Sequence, residues 1–314
     1  MAGRLLHLII PRAKAMRAII LNFDNSVTRQ DKLLEMFRPE VVELTDIAPL
    51  IRIGCRSSCY ERLLSRLDDV YRFKDDPPLT FTGSGDFHHV SLAILRRMPE
   101  PFNLVVFDSH PDWIRHVPIV HCGAWLDRAA KLPNLRRMYH FGVHHDISGP
   151  WLLFTPLRLM RGGKLRVFPA REGESLALRR RAPCKAIHRH EGDTAIEIFL
   201  ANTLSRHLDE MCRHPVYISI DKDVFYNGEA ITNWQGGLLR VGEVHKILKA
   251  IFHHPHFRPA GMDIGGDYSE TELSGLLRKI LYLYEKDVRR TASVEEARRN
   301  NEEVNIKLGK LFMR

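Results

Sequence analysis

The sequence predicts an α/β protein built on a central, mostly parallel sheet with helices on both faces. Three observations predict it. Short apolar runs recur along the chain and several are continuous, not alternating, as strands buried on both faces require. Amphipathic stretches of helical length separate them. Several of the runs then end in carboxylates and imidazoles, at the strand ends where such a sheet gathers its functional loops.

The elements follow in chain order. The opening "MAGRLLHLIIPRAKAM" holds one short apolar run that Pro11 breaks too soon for a secretion signal. Strands are expected at "RAIILNF" (17–23), "NLVVFDS" (103–109), "RRMYHFGV" (136–143), "KLRVFPA" (164–170), "PVYISID" (215–221) and "PAGMDIG" (259–265). Helices are expected at "HVSLAILRRM" (89–98), "TAIEIFLANTLSRHLDEMC" (194–212) and "VGEVHKILKAIFHH" (241–254), each apolar along one face. No repeat or low-complexity segment interrupts the alternation. One domain is expected over 1–314, with a charged helical C-terminal tail from about Glu285 that reads as solvated and mobile at its end.

With 44% hydrophobic and 27% charged residues, the chain has ample material for a core. A formal charge of +9 raises the question of an acidic partner. The basic residues are spread over "LRRM", "RLMRGGKLR" and "LRRRAPCK", which favours a basic solvated surface over a nucleic-acid face. The five cysteines (55, 59, 122, 184 and 212) include no C-x-x-C pair, so reduced thiols and a cytoplasmic setting are expected. No apolar run approaches membrane-spanning length, so no membrane partner is expected.

The stretch "VVFDSHPDW" (105–113) focuses the functional question. Asp108, His110 and Asp112 lie at alternate positions after an apolar run, so on extended backbone they address one cavity. "VYISIDKDVF" ends likewise in Asp221 and Asp223, and "TGSGDFHHVSLAI" (82–94) carries Asp86, His88 and His89 just before a helix. A D-x-D after a strand is on its own commonly a turn or a helix cap. Carboxylates and imidazoles converging from three segments are far harder to obtain by chance. Such a donor set, free of thiolate, suits two divalent ions, with Mn²⁺ the leading candidate. A pair of ions of this kind lowers the pKa of a bridging water and makes hydroxide near neutral pH.

These segments resemble the motifs of the ureohydrolases: the arginases, agmatinases and formimidoglutamases. The family's G-G-D-H-S, D-A-H-x-D and S-x-D-x-D-x-x-D-P motifs are matched by "GSGDFHHVS", "DSHPD" and "SIDKDVF", in the family's order. "VHCGAW" is similar to its His-Gly step, "FGVHHD" to its G-L-R-D strand end and "WQGGLL" to its G-G-L turn. The likeness covers roughly residues 80–275. It implies a three-layer arginase-like fold and makes Asp108, His110, Asp112, Asp221 and Asp223 metal ligands. The first motif carries an extra residue, so either His88 or His89 supplies its ligand; counting back from the helix favours His89. The resemblance further implies His121 as an acid/base group, working with Asp223, and Asp146 as a substrate contact.

Two departures bear on substrate. The family grips a guanidinium with a Glu after the final strand, and in "GMDIGGDYSE" Gly266 stands there with Asp267 next to it. Either Asp267 takes over the bidentate pairing, or the substrate is not a guanidine. The family's D-P closing the last metal motif is also missing, since Tyr226 and Asn227 follow "DKDVF". The expected function is therefore hydrolysis of a C–N bond in a small guanidino, amidino or amide substrate by a binuclear metal centre. The alternative is a metal-binding relative with altered chemistry and a regulatory or binding role. A metallophosphoesterase is disfavoured, because no G-N-H segment exists. Cys122 beside His121 lacks a third member for a nucleophilic triad, and "HHPHF" (253–257) reads as a helix end. A homo-oligomer is left open.

Overall fold

A computed structural model describes residues 17–71, 76–115, 117–145, 147, 149–171, 178, 185–188, 194–270 and 293–313. Among the described residues there are ten strands: β1 (Ala18–Asn22), β2 (Glu40–Glu43), β3 (Gly54–Cys55), β4 (Leu79–Gly83), β5 (Phe102–Phe107), β6 (Val120–His121), β7 (Leu135–Phe141), β8 (Leu165–Phe168), β9 (Val216–Asp221) and β10 (Pro259–Gly265). Eight of them form one sheet in the order β2-β1-β4-β10-β9-β5-β7-β8. Every neighbouring pair in it is parallel. β3 and β6 make a separate antiparallel pair.

The continuous apolar runs have the cause expected of them. Along β5, Leu104 and Val106 enter one core while Val105 and Phe107 enter the other. Ile19 and Ile20 divide in the same way along β1. Each such fully buried aliphatic side chain contributes about 1.5–3 kcal/mol. The first core is covered by helices Ser57–Leu67, Val90–Leu95 and Trp125–Ala129, and the second by Ala195–Phe199, Val241–Phe252 and Val294–Phe312. The sheet is thus the middle of three layers.

All six expected strands are present. β2 and β4 were not among them. β2, "EVVE", is a largely exposed edge strand. β4, "LTFTG", buries its threonines: Thr80 Oγ1 lies 2.9 Å from Tyr71 Oη. The expected 194–212 helix contains a π-helical turn at Leu200–Leu204.

The C-terminal tail needs correction. Its described part is helical from Val294 to Phe312, but it is docked, not solvated. Val304, Leu308, Leu311 and Phe312 enter the second core. Glu302 accepts hydrogen bonds from the backbone N–H of Lys32 (2.7 Å) and Leu33 (3.3 Å), capping helix Asp31–Phe37. The charge density of this segment belongs to its outer face and hides an apolar inner stripe. Among the described residues, no helix is long and apolar enough to cross a membrane.

Candidate metal centre

Each proposed ligand lies at or just beyond the carboxyl end of a parallel strand. After β5 the chain turns at Asp108, whose carboxylate accepts the backbone N–H of His110 at 2.7 Å. Asp112 sits in the left-handed region at φ 48°, and Trp125 Nε1 donates to its Oδ2 at 2.7 Å. After β9, Asp221 accepts the N–H of Asp223 at 3.1 Å. Asp223 Oδ1 in turn accepts the N–H and the hydroxyl of Ser109, both at 3.1 Å. These local bonds hold the carboxylates in place before any cation is considered.

Two groups of ligand atoms result, and Asp108 belongs to both. His88, Asp108 and Asp112 form one; Asp108, His110 and Asp223 form the other. His88 Nδ1 lies 3.1 Å from Asp108, 3.0 Å from Asp112 and 3.6 Å from Asp221. His110 Nδ1 lies 2.7 Å from Asp223 and 3.8 Å from Asp108. The His88 ring is steered from behind: its Nε2 is 3.1 Å from Ser219 Oγ, and Ser219 and Ser91 both donate to Asp263.

The choice between His88 and His89 goes against the helix-based count. A 3₁₀ turn at Gly85–Phe87 absorbs the extra residue and delivers His88 to the carboxylates. His89 is buried elsewhere with neither ring nitrogen hydrogen-bonded, and burial drives its pKa down to about 3. His89 is therefore outside the ligand cluster.

The electrostatics are those of a site that demands positive charge. Burial, and then the neighbouring Asp112 and Asp223 charges, push Asp108 well above the usual carboxylate range. Burial and the Asp223 charge lift Asp221 to about 7. Burial would lower the His110 ring, but Asp223 and Asp108 raise it to about 10. Burial likewise opposes charge on His88, yet Asp108 and Asp112 hold it well above the ordinary imidazole value. Asp223 would rise on burial, and the His110 ring beside it brings it down to about 2. Protons on two imidazoles thus balance part of the carboxylate charge, a role that divalent cations fill more completely.

The donor set fits hard or borderline divalent ions: carboxylate oxygens and imidazole nitrogens, paired in two triads, with no thiolate among them. Two glycines make room. A Cβ on Gly85 would lie 2.7 Å from Asp221 Oδ2, and one on Gly266 would collide with Asp221 Oδ1. Gly266, at φ +84°, therefore faces the ligand cluster.

Asp267, expected as a replacement for the family's glutamate, belongs to neither ligand triad. It is 1% exposed and bound into a network away from the ligands. Lys222 Nζ donates to it at 2.5 Å, Gln30 Nε2 at 2.7 Å and Asn305 Nδ2 at 3.3 Å. Lys222 follows Asp221, the last residue of β9, and opens the 3₁₀ turn Lys222–Val224. Asp146 lies outside the described residues.

His121, at the end of β6, is buried with Nε2 unpartnered, while Nδ1 accepts the N–H of Gly123 at 3.0 Å. That bond assigns the neutral ring's proton to Nε2. Burial holds its pKa below the ordinary value, with Asp112 the carboxylate acting against it.

Sequence reasoning passed over His144 and His145, whose backbone N–H groups both donate to Ser109 O at 2.9 and 3.0 Å. The His145 ring stacks on His110 at 5.0 Å, and burial holds it neutral, with a pKa of about 4. The paired imidazoles in "FGVHHD" were the available signal. Trp234 closes the other side, its ring 5.7 Å from His110 and its Nε1 donating to Asp86 at 3.0 Å. Asp86 also pairs with Arg52, so it braces the wall and belongs to neither ligand triad.

No protein-family model matches the chain. An uncharacterized protein of Thermotoga maritima is 28% identical over 190 residues, which span 60% of this chain and 58% of that protein. Among solved structures, proclavaminate amidino hydrolase from Streptomyces clavuligerus superposes with a TM-score of 0.56 at 16% identity, covering 96% of this chain and 93% of its own. The fold is that of the ureohydrolases. Formimidoylglutamase from Bacillus subtilis (TM-score 0.55, 14% identity, 95% and 86% covered) and arginase from Bacillus caldovelox (0.51, 13%, 95% and 98%) share it. The likeness first carried by short motifs therefore extends over nearly the whole ureohydrolase-fold chain.

Proposed function

We propose that this ureohydrolase-fold chain is a divergent ureohydrolase: a hydrolase with two divalent ions, Mn²⁺ by preference, that cleaves a non-peptide C–N bond of a small molecule. The observation that carries the reading is the pair of ligand triads sharing Asp108. When bound, the ions would supply electrophilic activation of the substrate and of the attacking water. His88 and Asp112 would hold one ion, His110 and Asp223 the other, with Asp108 common to both and Asp221 alongside.

The chain's own groups then divide the remaining work. Asp223 stays ionised and can accept a proton from the attacking water at a carboxylate oxygen. His121 presents its Nε2 proton to the substrate as a hydrogen-bond donor, held in that tautomer by Gly123. Trp234 and the neutral His145 wall the approach and limit water.

Gly266 narrows the substrate class. A charged guanidinium would find no carboxylate there, and Asp267 is bound by Lys222. Neutral amide groups suit an imidazole-lined wall better than a guanidinium or amidinium cation does. The same observation favours, as second reading, a metal-binding protein that has lost the family's reaction. We take the protein to be cytoplasmic; Cys55, Cys59, Cys122 and Cys212 are free thiols. A screen of the Mn²⁺-loaded protein for ammonia and urea release decides between the readings. Turnover of neutral amides above that of guanidino and amidino compounds is expected. Silence across both classes with two bound metals would leave the second reading standing.

A further inference from the structure

We propose a second ligand site, at the end of the sheet opposite the metal ligands, that takes a small phosphate-bearing anion of the oligophosphate class. Every candidate metal ligand lies at or after the carboxyl end of its strand. At the amino ends of β5, β7, β8 and β9 lies a cavity of about 330 Å³, lined by Arg136, Arg137, Lys164, Glu210, Arg213 and His214, among others. Arg136 and Arg137 open β7, Lys164 immediately precedes β8, and Arg213 and His214 lead into β9. The parallel topology thus gathers basic residues from three separate segments, including the "LRRM" and "RLMRGGKLR" runs that the metal centre leaves unexplained.

The charge is not neutralised from within. Four Arg or Lys side chains face one carboxylate, Glu210, and that carboxylate is already engaged. Arg137 approaches it at 3.0 Å, Arg166 at 2.9 Å, and Tyr139 Oη donates at 3.2 Å. Arg137 also donates to Gly163 O at 2.6 Å, which fixes its guanidinium. Among the described residues, no carboxylate pairs with Arg136, Lys164 or Arg213. Their mutual repulsion is felt within the cavity. Burial and the Arg136 charge together press the Lys164 ammonium below its ordinary value, and burial with Arg136, Arg258 and Arg213 does the same to His214.

Guanidinium forks and an ammonium around one concavity form the donor set that binds phosphate oxygens, several at a time. A half-open cavity of this size seats a small molecule, whereas a nucleic-acid face needs an extended basic stripe. A multiply charged phosphate would relieve the repulsion among Arg136, Lys164 and Arg213 without displacing the Arg137–Glu210 pair.

Calorimetric titration of the metal-loaded full chain with inorganic pyrophosphate, near physiological salt, tests this. Saturable binding of one equivalent is expected. The pair Lys164→Gln and Arg213→Gln should weaken it by roughly tenfold, one charge-assisted hydrogen bond or more being lost; Arg136→Gln should weaken it as a second, independent variant. The pair Arg62→Gln and Arg299→Gln, which removes the same charge from exposed helix faces, should leave it unchanged. Bound metal should be the same in all four proteins. Absence of saturable binding, equal weakening in the Arg62/Arg299 pair, or binding that vanishes when the metal is stripped would each overturn the proposal. Tighter binding of a single-stranded oligonucleotide through Arg136, Lys164 and Arg213 would overturn it too, in favour of a nucleic-acid surface.

Discussion

Replacing Gly266 by alanine should damage both the fold and the metal centre, and the size of the effect follows from two contacts. Gly266 has φ +84°, where an L-residue pays about 1–2 kcal/mol. Its new Cβ would lie 2.6 Å from the backbone nitrogen of Lys222 and would overlap Asp221 Oδ1. Crowding of that kind costs a further ~1–3 kcal/mol. The loss in metal-free protein is therefore about 2–5 kcal/mol, read from guanidinium chloride unfolding in the presence of a chelator. Displacing Asp221 should also weaken Mn²⁺ binding by roughly 10–100-fold, as when a supporting contact of a metal ligand is lost. Gly242→Ala is the control. It lies in helix Val241–Phe252 with nothing within 4 Å of its Cβ, so it should stabilise by up to about 1 kcal/mol. A Gly266→Ala protein within about 0.5 kcal/mol of the parent, with unchanged metal affinity, would refute the placement of Gly266 against the ligands.

Metal analysis after dialysis should find two ions in the parent, one in Asp112→Ala or Asp223→Ala, and none in Asp108→Ala; an Asp108→Ala protein that keeps both ions would remove the shared ligand. His88→Asn should lose metal while His89→Leu keeps it, since only the first ring reaches the carboxylates. Mn²⁺ loading at pH 7.5 should release protons, because His110 titrates at about 10 and must be neutral to bind; calorimetry in two buffers of different ionisation enthalpy measures this, and buffer-independent heats would contradict it. Trp125→Phe removes the donor to Asp112 and should reduce Mn²⁺ affinity by about tenfold with little change in stability. Lys222→Met leaves Asp267 buried and unpaired and should cost about 3–5 kcal/mol in a denaturation experiment.

Strands with unbroken apolar runs were legible because burial on both faces writes itself into every residue. β4 escaped notice because its threonines place hydroxyls inside, and a sequence does not display the Tyr71 partner that satisfies Thr80. The docked C-terminal helix escaped for a related reason. Its inner stripe is interrupted by Asn301, Glu302 and Asn305, all buried and polar, which look like surface until their partners are known. At the candidate centre, alternation at strand ends singled out Asp108, His110, Asp112, Asp221 and Asp223, and the structure brings all but Asp221 into the two triads. The His88/His89 choice turned on one 3₁₀ turn, and the fate of Asp267 on a buried lysine. Neither is a property of spacing.

The position of β10 has a consequence for how the molecule is made. It is the last strand among the described residues, yet it lies between β4 and β9. Until it is synthesised, the nascent polypeptide can assemble only two half-sheets, β2-β1-β4 and β9-β5-β7-β8, with no hydrogen bonds between them. His88 extends from the first half; Asp108, Asp112 and Asp221 extend from the second. The His88–Asp108–Asp112 triad therefore closes only when the final strand slots into the gap, whereas Asp108, His110 and Asp223 share one half-sheet, so completion of the pair of triads is a terminal event in biogenesis. Pairings this distant in sequence form slowly, and the unfilled gap exposes two bare strand edges in the meantime. Cation supplied during expression would then raise yield chiefly by trapping the closed sheet.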